Sequence, residues 1–150
     1  MHKETFKIDF ETTIGPWLGR TVKMVDYHLQ EAFDRHGLDV TKEQMIILKK
    51  LHHQDGINQN ELASLTYRDK SSLARLISKM ESKKYIRRVQ SKEDKRNKEI
   101  FMTLAGLKIF EATRPVIKEV IDVMEQGIHK EDKERIIHTL KQVQNNLKAI

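Results

Sequence analysis

The sequence predicts a mainly α protein with one small β-wing. Three observations carry that prediction. Apolar residues recur at helical spacing almost throughout. One short stretch, near Ile86 to Met102, instead places two apolar-bearing segments around a charged loop. The excess positive charge sits in a single central block. A chain of 150 residues suits one domain, or one compact domain with a helical extension, so we read 1–150 as a single domain. Such a chain can bury a core without disulfides or a metal. It has no cysteine, which excludes a disulfide framework, a thiolate zinc site and a cysteine-based redox sensor.

The first long helix is expected from about Pro16 to Phe33. Pro16 suits a first turn, where its missing N–H costs nothing. Leu18, Val22, Val25, Leu29 and Ala32 follow at spacings of 4, 3, 4 and 3, a seam at heptad period. Gly37 ends the helix. Thr41 to Gln44 reads as a capping box opening a second helix, where Met45, Ile46, Ile47, Leu48 and Leu51 spread over a surface broad enough for contacts on two sides.

Asp55-Gly56 breaks that helix. Asn58 to Glu61 reads as a second capping box before a short helix bearing Leu62, Ala63 and Leu65. Tyr67-Arg68 forms a turn, and Asp69 caps the next helix. There Leu73, Leu76, Ile77 and Met80 make one buried stripe at i, i+3, i+4 and i+7. The order is helix, tight turn, helix. The segments Tyr85 to Gln90 and Lys98 to Met102, around a loop from Ser91 to Asn97, read as a two-stranded wing.

Thr103 caps a long helix carrying Leu107, Phe110, Ile117, Met124 and Ile128, with Pro115 inside it expected to kink or strain it. The last helix, from about Glu131, carries Ile136, Leu140, Val143, Leu147 and Ile150. Narrow heptad seams need partner helices, and the simplest supply is a second copy of the chain. The dimerisation candidates are Leu18, Val22, Leu140, Val143 and Leu147. The fold is thus a winged helix-turn-helix plus N- and C-terminal dimerisation helices. The DNA-binding lobe spans 38–102, and the helical dimerisation region spans 10–36 and 103–150.

Charge distribution points to the partner. From Arg68 to Lys98 there are twelve Lys or Arg against four Asp or Glu, a net +8, while the rest of the chain nets −2. A basic block beside a slightly acidic remainder is the footprint of a polyanion. No segment approaches the roughly 18 apolar residues of a membrane span. The N-terminus, Met1 to Thr5, lacks an apolar signal core. We therefore expect a soluble, cytoplasmic protein without membrane contact.

Two blocks make the chain similar to the MarR family of bacterial regulators. One is Leu62-Ala63, then Asp69 to Leu76, then Met80-Glu81. The other is Asp94 to Lys98 in the wing, followed by Met102 to Gly106. The resemblance runs from Pro16 to the C-terminus. The family's wing pattern is Asp-x-Arg in a basic loop, and Leu-Thr-x-x-Gly often opens its next helix. The chain departs from the family at Lys84, where Gly is frequent and would permit a left-handed helix end. Lys84 either accepts that conformation at a cost or ends the helix differently.

In a winged helix-turn-helix the second helix enters the major groove, N-terminal end first. The recognition-helix candidates are Asp69, Lys70, Ser71, Ser72, Arg75 and Lys79. Lys70 suits a phosphate, Ser71 and Ser72 are short donors, and Arg75 can fork onto guanine O6 and N7. Helix capping remains open for the two serines, and a solvated face for Arg75. In the wing, Arg96 can enter a narrow minor groove. Asp94 repels phosphate but makes sense if a charge-assisted pair holds Arg96 extended. A flexible charged loop is the alternative. Lys92, Lys95 and Lys98 add salt-sensitive phosphate affinity. Asn58, Gln59 and Asn60 can cap their helix or touch the backbone.

Other chemistries have less support. His52 and His53 are adjacent, so they point about 100° apart on a helix. A regulatory zinc remains a minor alternative, and no metal or other cofactor is assigned. There is no nucleophile–base arrangement, phosphate-binding Gly loop or suggestive carboxylate pair, so no catalytic residue is named and an enzyme is not expected. Trp17 and Tyr27 can pack in a core or interface, or line a ligand cleft.

The sequence therefore reads as a dimeric, sequence-specific regulator of double-stranded DNA, a repressor by expectation, on a pseudo-palindromic operator. The resemblance implies a small-molecule effector between the dimerisation helices and the DNA-binding lobes. Without cysteine, the thiol oxidation used in part of the family is not expected. The alternative is a winged-helix protein–protein interaction module without specific DNA binding.

Overall fold

The computed structural model describes residues 5–150. The first four, part of the N-terminal stretch read above for a signal core, lie outside the described residues. Nine elements follow in order. They are α1 (Ile14–Arg35), α2 (Lys42–His53), β1 (Ile57–Asn58), α3 (Gln59–Leu65), α4 (Lys70–Ser82), β2 (Ile86–Gln90), β3 (Lys98–Met102), α5 (Leu104–Met124) and α6 (Lys130–Lys148). The chain divides into two compact units, Met1–Ile117 and Lys118–Ile150, described separately below.

In the first unit, α1 begins two residues earlier and ends two later than its sequence pattern indicates. Its C-terminus closes as expected at Gly37, whose φ is +69°. The Leu38 N–H reaches the Phe33 carbonyl at 2.9 Å and the Gly37 N–H reaches the Asp34 carbonyl at 3.0 Å, the paired bonds of a Schellman end. The Thr41–Gln44 capping box of α2 is present in both directions. Asn58 caps α3 by accepting from the Asn60 and Glu61 N–H groups.

The wing has one strand more than its two-stranded reading. Ile57 and Asn58 pair antiparallel with Ile100 and Glu99, giving a three-stranded sheet of order β1-β3-β2. Two residues are too short to show an alternation. β2 and β3 pair from Ile86–Met102 to Gln90–Lys98.

Phe33, Ile47, Leu48, Leu51, Leu62, Leu73, Ile77, Met80, Ile86 and Ile100 are fully buried. They come from α1 to α4 and from β2 and β3, so one core fixes the angle between α4 and the wing. Each such side chain contributes about 1.5–3 kcal/mol of burial. At the start of α5, Thr103 Oγ1 donates to the Lys84 carbonyl at 2.6 Å and accepts the Gly106 N–H at 3.0 Å. Gly106 is required by close approach, since a Cβ there would lie 2.1 Å from the Tyr85 carbonyl oxygen.

In the second unit, α6 buries no residue. Ile136, Ile137 and Leu147 are exposed, while Leu140 and Val143 are half-buried. Lys133 pairs with Glu125 at 2.9 Å. Pro115, in the first unit, lies inside the helical run of α5. Among the described residues, no helix is long and apolar enough to cross a membrane.

Candidate nucleic-acid interface

Helix α4 is built to show one face. Leu73, Ile77 and Met80 are buried and Leu76 half-buried, so Lys70, Ser71, Arg75 and Lys79 stand exposed on the other side. Asp69 is the N-cap, and its carboxylate accepts the Ser72 N–H at 2.8 Å. That leaves Asp69 facing backbone donors, where a negative charge also suits the helix N-terminus.

The capping alternative for Ser72 is answered in an unexpected way. Its backbone is capped by Asp69, while its hydroxyl oxygen accepts from Arg68 Nη1 at 2.6 Å. The hydroxyl thus serves as an acceptor and keeps its own proton for a further bond. Arg68 was not singled out in the sequence, although its i, i+4 spacing to Ser72 was a usable signal. It stands just outside the helix, where that rule is not normally applied.

The turn before α4 is a second Schellman end. The Arg68 N–H bonds to the Ala63 carbonyl at 3.0 Å and the Tyr67 N–H to the Ser64 carbonyl at 3.2 Å. The left-handed position falls on Tyr67, with φ +53°. The end of α4 repeats the motif, with Tyr85 N–H to Met80 carbonyl at 3.0 Å and Lys84 N–H to Glu81 carbonyl at 2.9 Å. Lys84 therefore takes the left-handed conformation itself, at φ +65°. This settles the path into the wing.

In the wing, the expected ion pair between Asp94 and Arg96 is corrected. Asp94 Oδ1 accepts the Arg96 backbone N–H at 3.0 Å, and Oδ2 accepts from Asn97 Nδ2 at 3.1 Å. Among the described residues, no ion pair joins Asp94 to the Arg96 guanidinium. The physical reason is local. A carboxylate two residues before an N–H closes a short turn more readily than it reaches along a neighbouring extended side chain. Asp94 thus shapes the loop and leaves the Arg96 guanidinium projecting. Lys92, Lys95, Arg96 and Lys98 are all exposed.

Two bonds tie the wing, one at its loop and one at β2, to the helices of the lobe. Asn60 Nδ2 donates to Asn97 Oδ1 at 2.8 Å, linking α3 to the wing across 37 residues. Arg88 Nη2 donates to Glu81 Oε1 at 2.9 Å, joining β2 to the last turn of α4. The Arg88 side-chain bond holds the Glu81 carboxyl below its usual range, against an opposing push from burial. Gln59, Asn60, Arg88, Arg96, Asn97 and Lys98 line a hollow of about 150 Å³ between α3 and the wing. Neither the Asn60–Asn97 bond nor the Glu81–Arg88 pair had a sequence signal, because the chain must fold before the partners meet.

The geometry offers a convex, cation-bearing helix beside a cation-bearing hairpin, both braced on one core. The MarR family model matches residues 40–98, which hold α2 to β2, the wing loop and the first residue of β3. YybA, an uncharacterised HTH-type transcriptional regulator of Bacillus subtilis strain 168, is 30% identical over 110 residues, covering 73% of either chain. This chain belongs to the MarR family. The HTH-type transcriptional regulator SarZ of Staphylococcus haemolyticus is 28% identical over 127 residues, covering 83% of this chain and 80% of the relative. The crystal structure of the S. aureus MepR–DNA complex superposes with a TM-score of 0.78 at 25% identity, over 93% of this chain and 99% of the neighbour. As in the MarR family, the chain carries a helix-turn-helix, here α3 and α4, followed by a wing.

Trp17, Tyr27 and His52 lie on other elements, α1 and α2. Trp17 and Tyr27 are 47% and 67% exposed on α1. The Trp17 indole N–H donates to the Glu11 carbonyl at 2.8 Å, and Arg20 lies over its ring. The His52 ring packs 5.0 Å from that of Phe110. Among the described residues, no cluster of three or more His, Cys, Asp or Glu side chains could hold a metal ion.

Proposed function

We propose that this MarR-family regulator acts as a cytoplasmic homodimer on a pseudo-palindromic operator in double-stranded DNA, as a repressor. Lys70, Ser71, Ser72, Arg75 and Lys79 of α4 face the major groove, after the Asp69 cap. Arg96 enters the adjacent minor groove, Asp94 holds its loop, and Lys92, Lys95 and Lys98 meet phosphates. The lobe 38–102 does the reading, and 10–36 with 103–150 makes the dimer. A small molecule that favours a different lobe spacing would release the operator by population shift. The role is binding, without catalysis.

One observation carries the reading: Lys70, Arg75 and Lys79 of the +8 block are exposed on α4, and Lys92, Lys95, Arg96 and Lys98 on the wing, of the same lobe. Recognition helices about one helical turn apart, roughly 34–36 Å, read two half-sites of such an operator. MepR, a neighbour in structure, was solved with DNA. Exposed apolar side chains on α1 and α6, among them Val22 and Leu147, favour a partner chain.

The test is selection of genomic fragments by the purified protein at near-physiological salt. One enriched inverted repeat is the expected result. On that site Arg96→Ala should bind more weakly while sedimenting as the wild-type dimer. Salt-sensitive recovery without any enriched sequence would overturn specific recognition and favour the protein-interaction alternative.

A further inference from the structure

Tyr67 is poorly explained by the fold that holds it. It occupies a left-handed position, φ +53°, yet 88% of its surface is exposed. The bonds that close the turn are made by backbone atoms of Tyr67, Arg68, Ala63 and Ser64, so the ring is not needed for them. Glycine would hold the same turn with less strain. The ring stands at the rim of an open hollow of about 300 Å³ with Ile46, Leu65 and Arg68, and that hollow leaves it uncovered. A large aromatic is thus kept where its backbone is strained and its side chain packs little.

The surroundings say what it meets. Arg68 follows directly and is bonded to Ser72 on α4. Lys70 lies just beyond and Lys50 lines the same hollow; of the two acids beside the ring, Asp69 is occupied as the helix cap and Glu43 is outnumbered by these cations. The surface beside the phenol is therefore cationic. When α4 enters a major groove N-terminus first, the turn ahead of it lies over the groove's edge, where the sugar–phosphate backbone runs. A phenol is a neutral O–H donor suited to a phosphate oxygen, and contacts of this kind fix register without reading sequence.

We propose that Tyr67 is a DNA-contacting residue outside the recognition helix, its hydroxyl donating to a backbone phosphate and setting the register in which α4 enters the groove. The proposal rests on the DNA-binding reading above. Through the Arg68–Ser72 bond the turn and the first turn of α4 are held as one piece, so an anchor at Tyr67 positions Ser72 and Arg75.

The experiment measures operator affinity across a salt series, with thermal melts, for the full-length wild type, Tyr67→Phe, Tyr67→Gly and, as reference, Arg96→Ala. Tyr67→Phe should bind about three- to tenfold more weakly, the worth of one hydrogen bond. Its slope of log affinity against log salt should not change, because a neutral donor releases no counterion. Tyr67→Gly should lose at least as much affinity while its Tm holds or rises by about 2 °C, since the strain is relieved. Wild-type affinity in both variants would overturn the proposal. So would a Tm several degrees lower in Tyr67→Gly, which would give the ring a structural role. Loss in Tyr67→Gly alone would overturn the hydroxyl contact. Failure of the underlying reading looks different: the wild type would select no site and Arg96→Ala would change nothing.

Discussion

Helix α4 places Leu73, Ile77 and Met80 in the core of its lobe, whereas α6, with Ile136, Leu140, Val143 and Leu147 at comparable helical spacing, buries no residue. Their ends differ too. Asp69 caps α4 with a side-chain bond and a Schellman turn closes it, while His129 at the start of α6 makes no side-chain cap bond. Periodicity identifies a face that must be covered. It does not say whether the cover comes from the same chain. For α4 it comes from α2, α3 and the sheet. For α6 we propose a second protomer.

The largest effect should come from breaking that proposed cover. Leu140→Asp together with Leu147→Asp puts two charges on one face of α6, seven residues apart. Sedimentation should show a monomer, and operator affinity should fall at least about 100-fold, as two half-sites are no longer held by one molecule. A dimer that survives both substitutions would move the interface elsewhere.

Ile77→Ala probes the opposite case. Ile77 is fully buried within the chain, so its truncation should cost about 2–5 kcal/mol in urea unfolding. The same loss should appear at every protein concentration, because the cover is intramolecular. A loss that shrinks as concentration rises would mean that α4 also depends on the partner.

The same distinction explains what the sequence made legible. Helices, caps and the recognition face follow from local spacing and from residues such as Thr41, Asp69 and Gly37, whose roles depend on near neighbours. The small strand β1 was hidden because two residues carry no period. The true partners of Asp94 and Arg88, and the Asn60–Asn97 bond, depend on where folding brings α3, α4 and the wing together. The departure at Lys84 was visible in the sequence, but only the backbone shows that it adopts the glycine-like conformation.

A smaller effect lies at the last turn of α4. The Glu81 carboxyl is lowered from its ordinary value of 4.5 by its bonds to Arg88. A lowered carboxyl contributes stability that is full above the unfolded value and is lost as pH falls through the folded one. Wild-type stability should therefore decline on acidification from about pH 5 in part through this pair. Glu81→Gln should be less stable near neutrality and should lack that part of the decline. Parallel pH profiles for the two proteins would show that the pair does not link α4 to the wing energetically.

The smallest effect tests the other end of that linkage. Lys84 is exposed, and the bonds around it run through its backbone, including the Thr103 hydroxyl on its carbonyl at 2.6 Å. Its left-handed φ of +65° costs a side-chain-bearing residue about 1–2 kcal/mol. Glycine removes that cost but widens the unfolded ensemble, which returns about 0.4–1 kcal/mol. Lys84→Gly should therefore stabilise the lobe by about 0.5 kcal/mol, a Tm rise of about 1–2 °C. A Tm that falls would show that the Lys84 side chain itself holds the wing to α4, and that the chain's departure from glycine here is structural. A Tm that rises would mean that the turn into the wing is set by backbone bonds alone, in contrast to α6, whose placement we assign to side chains of a second protomer.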